Sequence, residues 1–422
     1  MKPEGVMSSH RGLETSARNM SAPSRHAARV GRFAQICVLF FFALLLTPLG
    51  FKGRAFSSQT NHYEYVFPDG NMYVYDMDNS FSLVKHITIP VAKGIRGVAV
   101  GVSTHMLYIS YGGDGGPNGN GSMLEFDLLS DSIVWEQNYS TGIDSMAITP
   151  DAKTIYLPTG ELTSGSTWDI VDAATGNVTG GISAGSGPHN TLVSLDGKNV
   201  YMDGRNSNFL WEAGTSNNTV SQKMGPLKST CRPFTINGKQ TLAFTTSTGF
   251  LGFQVENIQT GAVLYTVPVS GFSCGSCQSP SAPSHGVSLS PNEKEVYLMD
   301  APNSFVHVFD VTGLPNSAPL QVADIQLRSM AGSESGCLYD CLRDGWVRHS
   351  LDGRFVMVGD SGDIIDTAQR KSIINLDTLY NTRKFIEVDW QNGVPVATST
   401  RHGMGYVTSS VAPPTNVSVT VH

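Results

Sequence analysis

The 422-residue sequence predicts an all-β fold, a seven-bladed β-propeller of four-stranded antiparallel blades whose ring is closed by the C-terminal strand. Three observations predict it. A short apolar strand ending in an acidic residue recurs seven times. A Ser-Pro-Asp-Gly-like turn between two strands precedes four of those copies. The composition combines 44 glycines with only 15% charged residues, which favours strands and tight turns over amphipathic helices.

The acidic-ended strand reads Tyr73–Asp76, Leu124–Asp127, Asp169–Asp172, Phe209–Glu212, Phe253–Glu256, Val306–Asp310 and Ile364–Asp366, at spacings of 40 to 56 residues. The turn unit is clearest at Ile148–Tyr156, Val193–Tyr201, Leu289–Tyr297 and His349–Met357. A strand, a tight Pro/Asp/Gly turn and a second strand make a hairpin. The acidic-ended strand is then the third of a blade, and a fourth follows it. One such sheet cannot bury both its faces alone. Stacking the sheets radially buries them against one another, and periods of 40 to 50 residues fit that architecture.

Two segments look like parts of a shared blade. Tyr63–Tyr73 reads as a second and third strand without a first, and His402–Val407 reads as a first strand without partners. The C-terminal segment is therefore expected to complete blade one.

Residues 1–56 differ from the rest. They hold eight of the 28 Lys and Arg but only two of the 35 Asp and Glu. Arg25, Arg29 and Arg32 precede an almost wholly apolar run from Phe33 to Leu46, which Thr47-Pro48 and Gly50 break. A basic flank before a short apolar run is the pattern of a secretory signal. This segment is expected to be a signal peptide or a membrane anchor, with the propeller at 57–411 and a flexible tail at 412–422. The protein is then periplasmic or extracellular.

Beyond residue 56, 20 basic and 33 acidic residues leave a net charge of −13. An acidic surface repels phosphate backbones, so nucleic acid is excluded as a partner. Membrane contact is expected only through the N-terminal segment, and the chain is expected to be a monomer.

The repeats resemble the YVTN-type β-propeller family, related in architecture to lactonase-type propellers. The resemblance rests on the turns quoted above and on third strands such as Asp172-Ala173-Ala174-Thr175-Gly176 and Asp310-Val311-Thr312-Gly313, and it covers residues 60 to 410. It implies the fold more strongly than any activity, because propellers host many functions.

Counting back eleven residues from the aligned Val-Tyr-like pair lands at the start of each innermost strand. The positions are Arg96, Asp144, His189, His285 and Gly345, with Arg232 one residue closer in its own repeat and His402 supplied by the C-terminal segment. Packing gives no reason for charge there, so these residues, with Trp346 beside Gly345, are expected to line a ligand site at one mouth of the central channel. The Arg side chains suit a small anion; a protein partner at the same mouth is the other candidate. The alternative is a hydrolase or lyase of the lactonase type, with His189, His285, His402 and Asp144 as candidate catalytic residues. The three histidines fall on blades one, four and six, which argues against a shared metal. No phosphate loop, dinucleotide fingerprint or Cys-x-x-Cys-His haem attachment occurs, so no cofactor is expected.

Cys274, Cys277, Cys337 and Cys341 lie in two insertions leading into blades six and seven, and in an oxidising compartment they are expected to form disulfides. N-terminal sequencing of the exported protein is expected to begin near Ser57. Recovery of a soluble cytoplasmic form that keeps residues 1–56 would overturn that expectation.

Overall fold

Residues 59–113, 120–275, 282–400 and 402–405 are described by a computed structural model. The segment expected to be a signal or anchor, Cys37, Cys277, Tyr406, Val407 and the expected tail fall outside the described residues.

The chain forms seven antiparallel sheets in sequence order. Blades two to seven have four strands each, and their third strands include Ser122–Asp127, Thr167–Asp172, Leu210–Gly214, Phe250–Asn257, Phe305–Asp310 and Asp363–Asp366. All seven acidic-ended repeats are therefore third strands, counting Asn71–Asp76 in blade one. The fold is the seven-bladed propeller that the repeats predict.

The hairpin turns share one chemistry. Thr149, Ser194, Ser290 and Ser350 each donate a side-chain hydrogen bond to the Asp or Asn two residues on, at 2.6 to 2.8 Å. The same hydroxyls accept the backbone N–H that opens the next strand. In these four turns the residue two positions before the return strand adopts a left-handed conformation, which Gly197 and Gly353 take freely and Ala152 and Glu293 take at a cost.

Successive residues of a strand point to opposite faces, and in this ring both faces are buried. Val74 packs toward blade two, with Val98, Val100 and Leu107, whereas its neighbour Tyr75 packs toward blade seven, with Met357 and Ile364. Seven hydrophobic clusters result, one at each seam between neighbouring blades. This is why the middle strands read as continuous apolar runs rather than alternating ones.

Blade one departs from the sequence expectation. Its closing strand is Phe385–Gln391, which pairs antiparallel with Thr60–Val66 along the whole length of that strand. A further strand, Val394–Thr398, gives the blade five strands. His402–Gly405 does not form the inner strand. It crosses the channel instead, where the Gly403 carbonyl accepts from Leu289 N and Thr235 Oγ1. The echo between His402-Gly403-Met404 and His285-Gly286-Val287 misled the assignment. The 385–391 segment lacks the Ser-Pro-Asp-Gly-like turn that marks four of the other inner strands, because its partner comes from the far end of the chain.

Arg348 holds this closure. Fully buried, it donates to Glu64 Oε2 at 2.5 Å and to Glu387 Oε2 at 3.4 Å, one carboxylate from each end of the chain. Removing one partner from a buried ion group leaves the others uncompensated. Arg348→Ala is expected to cost about 3–5 kcal/mol in equilibrium urea unfolding.

Candidate functional site

The inner strands bring their first residues together at one mouth. Arg96, Asp144, His189, Arg232 and His285 are all buried there, with exposures of 1 to 6%. Strand pairing also identifies the blade-one member. Tyr63 is opposite Asp76 as Phe355 is opposite Asp366, which sets Glu387 level with His349 and Arg383 level with Gly345. Arg383, 1% exposed, therefore completes the ring of mouth residues in place of His402.

The side chains form one ionic network. Arg96 donates to Asp144 Oδ2 at 2.8 Å, Glu161 Oε1 at 2.9 Å and Asp340 Oδ2 at 3.3 Å. Glu161, in the loop after Thr154–Pro158, also meets Arg205 at 3.0 Å and Arg232 at 3.4 Å, both through Oε2. Burial alone would push the Glu161 carboxyl up, but Arg96, Arg232 and Arg205 hold it below the usual carboxylate range. Asp340 is likewise lowered, burial being outweighed by Arg383 and Arg96. Arg383 reaches Asp340 Oδ2 at 3.1 Å and pairs with Asp344.

The insertion ahead of blade seven supplies two carboxylates of this network, Asp340 and Asp344. Cys337 and Cys341 form a disulfide with Cα atoms 5.7 Å apart, closing a small loop around Leu338, Tyr339 and Asp340. That loop is anchored by Leu338 N, which donates to Asp69 Oδ2 at 2.7 Å. It sets the Tyr339 ring 5.3 Å from the Arg96 guanidinium. Cys274 is also disulfide-bonded, and Cys231 is a buried free thiol. Burial pushes the Cys231 thiol well up, so it is held protonated.

The imidazoles differ. His285 donates from Nδ1 to the Gly345 carbonyl at 3.0 Å, and burial, aided by Arg232 and Arg383, lowers its pKa well below the ordinary value. It is a neutral ring at physiological pH. His189 Nδ1 accepts from Asn190 Nδ2 at 2.8 Å, which leaves the proton on Nε2, facing Glu161 at 3.7 Å and Asp144 at 3.9 Å. His189 and His285 have ring centroids 6.4 Å apart. Trp346 continues the row, edge-on to His285 at 5.6 Å and to His402 at 5.5 Å. His402 lies in the channel, its Nδ1 bonded to the Phe234 carbonyl at 2.8 Å.

Donor atoms of Asp144, Glu161 and His189 lie within 4.8 Å of one another, close enough to share a metal ion. Yet Asp144 Oδ2 and both oxygens of Glu161 are already engaged by guanidinium groups. A divalent ion would have to displace those cations, so the set fits an arginine cage better than a metal.

A cleft of about 590 Å³ opens beside this network. Glu161, Arg205, Arg232, Asp340, Arg343 and Asp344 line it, together with the apolar side chains of Pro283, Pro302 and Met330. Sequence reasoning brought Arg96, Asp144, His189, Arg232 and His285 to one place and missed Glu161, Arg205, Asp340, Asp344 and Arg383. The register count samples only the first residue of an inner strand, and four of the five come from loops. Arg383 was within its reach, but only on the correct closing strand.

No family model matches the chain, and no curated protein matches it. A solved structure of hydrazine synthase from Kuenenia stuttgartiensis shares the fold, at 15% identity and a TM-score of 0.55 over 71% of this chain and 90% of that one.

Asp203 lies behind the mouth, 3.6 Å from His189 Nδ1, and burial pushes its pKa up to about 7. A carboxyl whose folded value is raised above the unfolded one stabilises the fold at low pH and loses that contribution as pH rises toward the folded value. The isosteric Asp203→Asn variant cannot ionise. Its stability relative to the wild type is expected to rise between pH 5 and pH 7, at a limiting slope of about 1.4 kcal/mol per pH unit, measured by urea unfolding across that range.

Proposed function

We propose that this chain is an exported binding propeller that takes a small organic anion in the cleft over its channel mouth. The observation that carries the reading is the state of Arg232. It is 6% exposed and lines the cleft, yet the one hydrogen bond of its guanidinium among the described residues is the 3.4 Å contact with Glu161. Its Nε is buried with no hydrogen-bond partner. A buried guanidinium normally satisfies its fork of donors. Arg205 shares the same Glu161 oxygen and is partly exposed, so these two guanidinium groups divide one carboxylate atom between them, while Asp340, Asp344 and Arg343 line the rest of the cleft.

A ligand carboxylate fits this geometry, because it can take the remaining donors of a planar guanidinium in bidentate fashion. The apolar side of Pro283, Pro302 and Met330 suits a hydrocarbon body attached to that carboxylate. Arg96, held by Asp144, then acts behind the ligand to keep Glu161 in place, and His189, His285, Trp346 and His402 lie outside the lining of the cleft. Export is supported by the basic-then-apolar N-terminal segment and by the disulfides of Cys274 and Cys337–Cys341.

A thermal-shift screen of carboxylic acids and lactones is expected to raise the melting point with carboxylates of mixed polar and apolar character. Arg232→Ala is expected to weaken the best hit by about 1.5–3 kcal/mol in titration calorimetry, the worth of a charge-assisted hydrogen bond. Equal shifts in the wild type and in an Arg205→Ala, Arg232→Ala double variant would place binding elsewhere.

A further inference from the structure

The strand pair that closes the ring differs from its counterparts at one register position. In blades two to six the facing residues there are apolar: Val100 and Leu107, Ile148 and Ile155, Val193 and Val200, Ile236 and Ala243, Leu289 and Val296. Blade seven sets His349 against Val356. Blade one sets Glu64 against Glu387, and both are fully buried. Like charges directly opposite one another repel, and burial makes each costlier. Two residues further along the same face, His62 stands opposite Asp389.

Arg348 supplies one positive charge to this group. Glu64, Glu387 and Asp389 carry three negative ones when ionised, so two remain unbalanced beside a neutral His62. Glu387 Oε1 is buried without a hydrogen-bond partner and faces His62 Nδ1 at 3.9 Å. His62 Nδ1 lies 2.8 Å from Asp389 Oδ1, and donor atoms of His62, Glu387 and Asp389 fall within 4.8 Å of one another. Ligands bound at about 2.0–2.2 Å to one ion sit about 3–3.5 Å apart, so these spacings bracket a coordination shell.

We propose that His62, Glu387 and Asp389 bind one divalent transition-metal ion of the zinc class, and that this ion staples the N-terminal strand of the ring to the C-terminal one. One imidazole with two carboxylates suits zinc, whereas calcium and magnesium favour shells made wholly of oxygen. The His62 side chain is 22% exposed, which gives an ion a way in from solvent. No hairpin turn joins Thr60–Val66 to Phe385–Gln391, so a bound ion supplies a local link where the other inner strand pairs have covalent continuity. The competing occupant is a proton, because Glu64, Glu387 and Asp389 are all buried beside a single guanidinium.

The untagged full chain tests this by metal analysis and melting point, before chelation, after it, and after addition of zinc or magnesium. One zinc per chain is expected, with a melting point that falls on chelation and recovers with zinc but not with magnesium. His62→Ala and Asp389→Asn are expected to lose zinc affinity by about tenfold or more while keeping the wild-type circular dichroism, and His189→Ala is expected to retain it. His62→Gln serves as the second variant if His62→Ala fails to fold. Three results would overturn the proposal: a chelated wild type that zinc does not stabilise, zinc retained without His62 but lost without His189, or a metal-free protein whose melting point answers only to pH. The last would assign the pair to a shared proton.

Discussion

The antiparallel pairing of Thr60–Val66 with Phe385–Gln391 joins the two ends of the chain, and the rest of the ring presupposes it. Each blade buries one face against the blade before it and one against the blade after it. An open ring would leave Val66, Tyr75 and Phe81 facing water on one side, and Trp346, Met357 and Ile364 facing it on the other. Exposing such an apolar seam is unfavourable in proportion to its area. Closure therefore couples all seven seams into a single cooperative object, even though the other six are assembled between consecutive blades.

That coupling also places the mouth. Arg383 enters the ring of inner-strand residues only because the last segment of the chain lies beside the first blade. From there it holds Asp340 and Asp344, which come from the insertion before blade seven. Asp340 in turn reaches Arg96 on blade two, and Arg96 reaches Glu161 from blade three. The charges at the mouth are thus fixed pairwise around the channel. Arg232 is the least engaged of the arginines in this set, and it stands where the cleft opens.

The disulfide-bearing loop has a comparable role on a smaller scale. A short excursion such as Cys337–Cys341 would not by itself hold a carboxylate in a defined position. Covalent closure restricts its conformations, and the hydrogen bond from Leu338 to Asp69 fixes its direction. Asp340 is thereby delivered to two guanidinium groups from different blades.

What could be read from the sequence were the features set by local periodicity and turn chemistry. Seven acidic-ended strands and four Ser/Thr-to-Asp/Asn turns lie within a few residues of the groups they organise, so blade count, strand order and the inner-strand positions of Arg96, Asp144, His189, Arg232 and His285 followed from spacing alone. The closing strand did not, because Phe385–Gln391 has no turn to announce it and its partner lies more than 300 residues away in the chain. The choice between it and the His402 segment was made by burial and backbone pairing in three dimensions. Glu161, Arg205, Asp340 and Asp344 were equally illegible. They sit in irregular loops with no repeat register, and their charges acquire meaning only from the arginines that the closed ring brings within 4 Å of them. Local chemistry determined the blades; the free energy of burying charge next to its counter-charge decided how the ring ends and what its mouth contains.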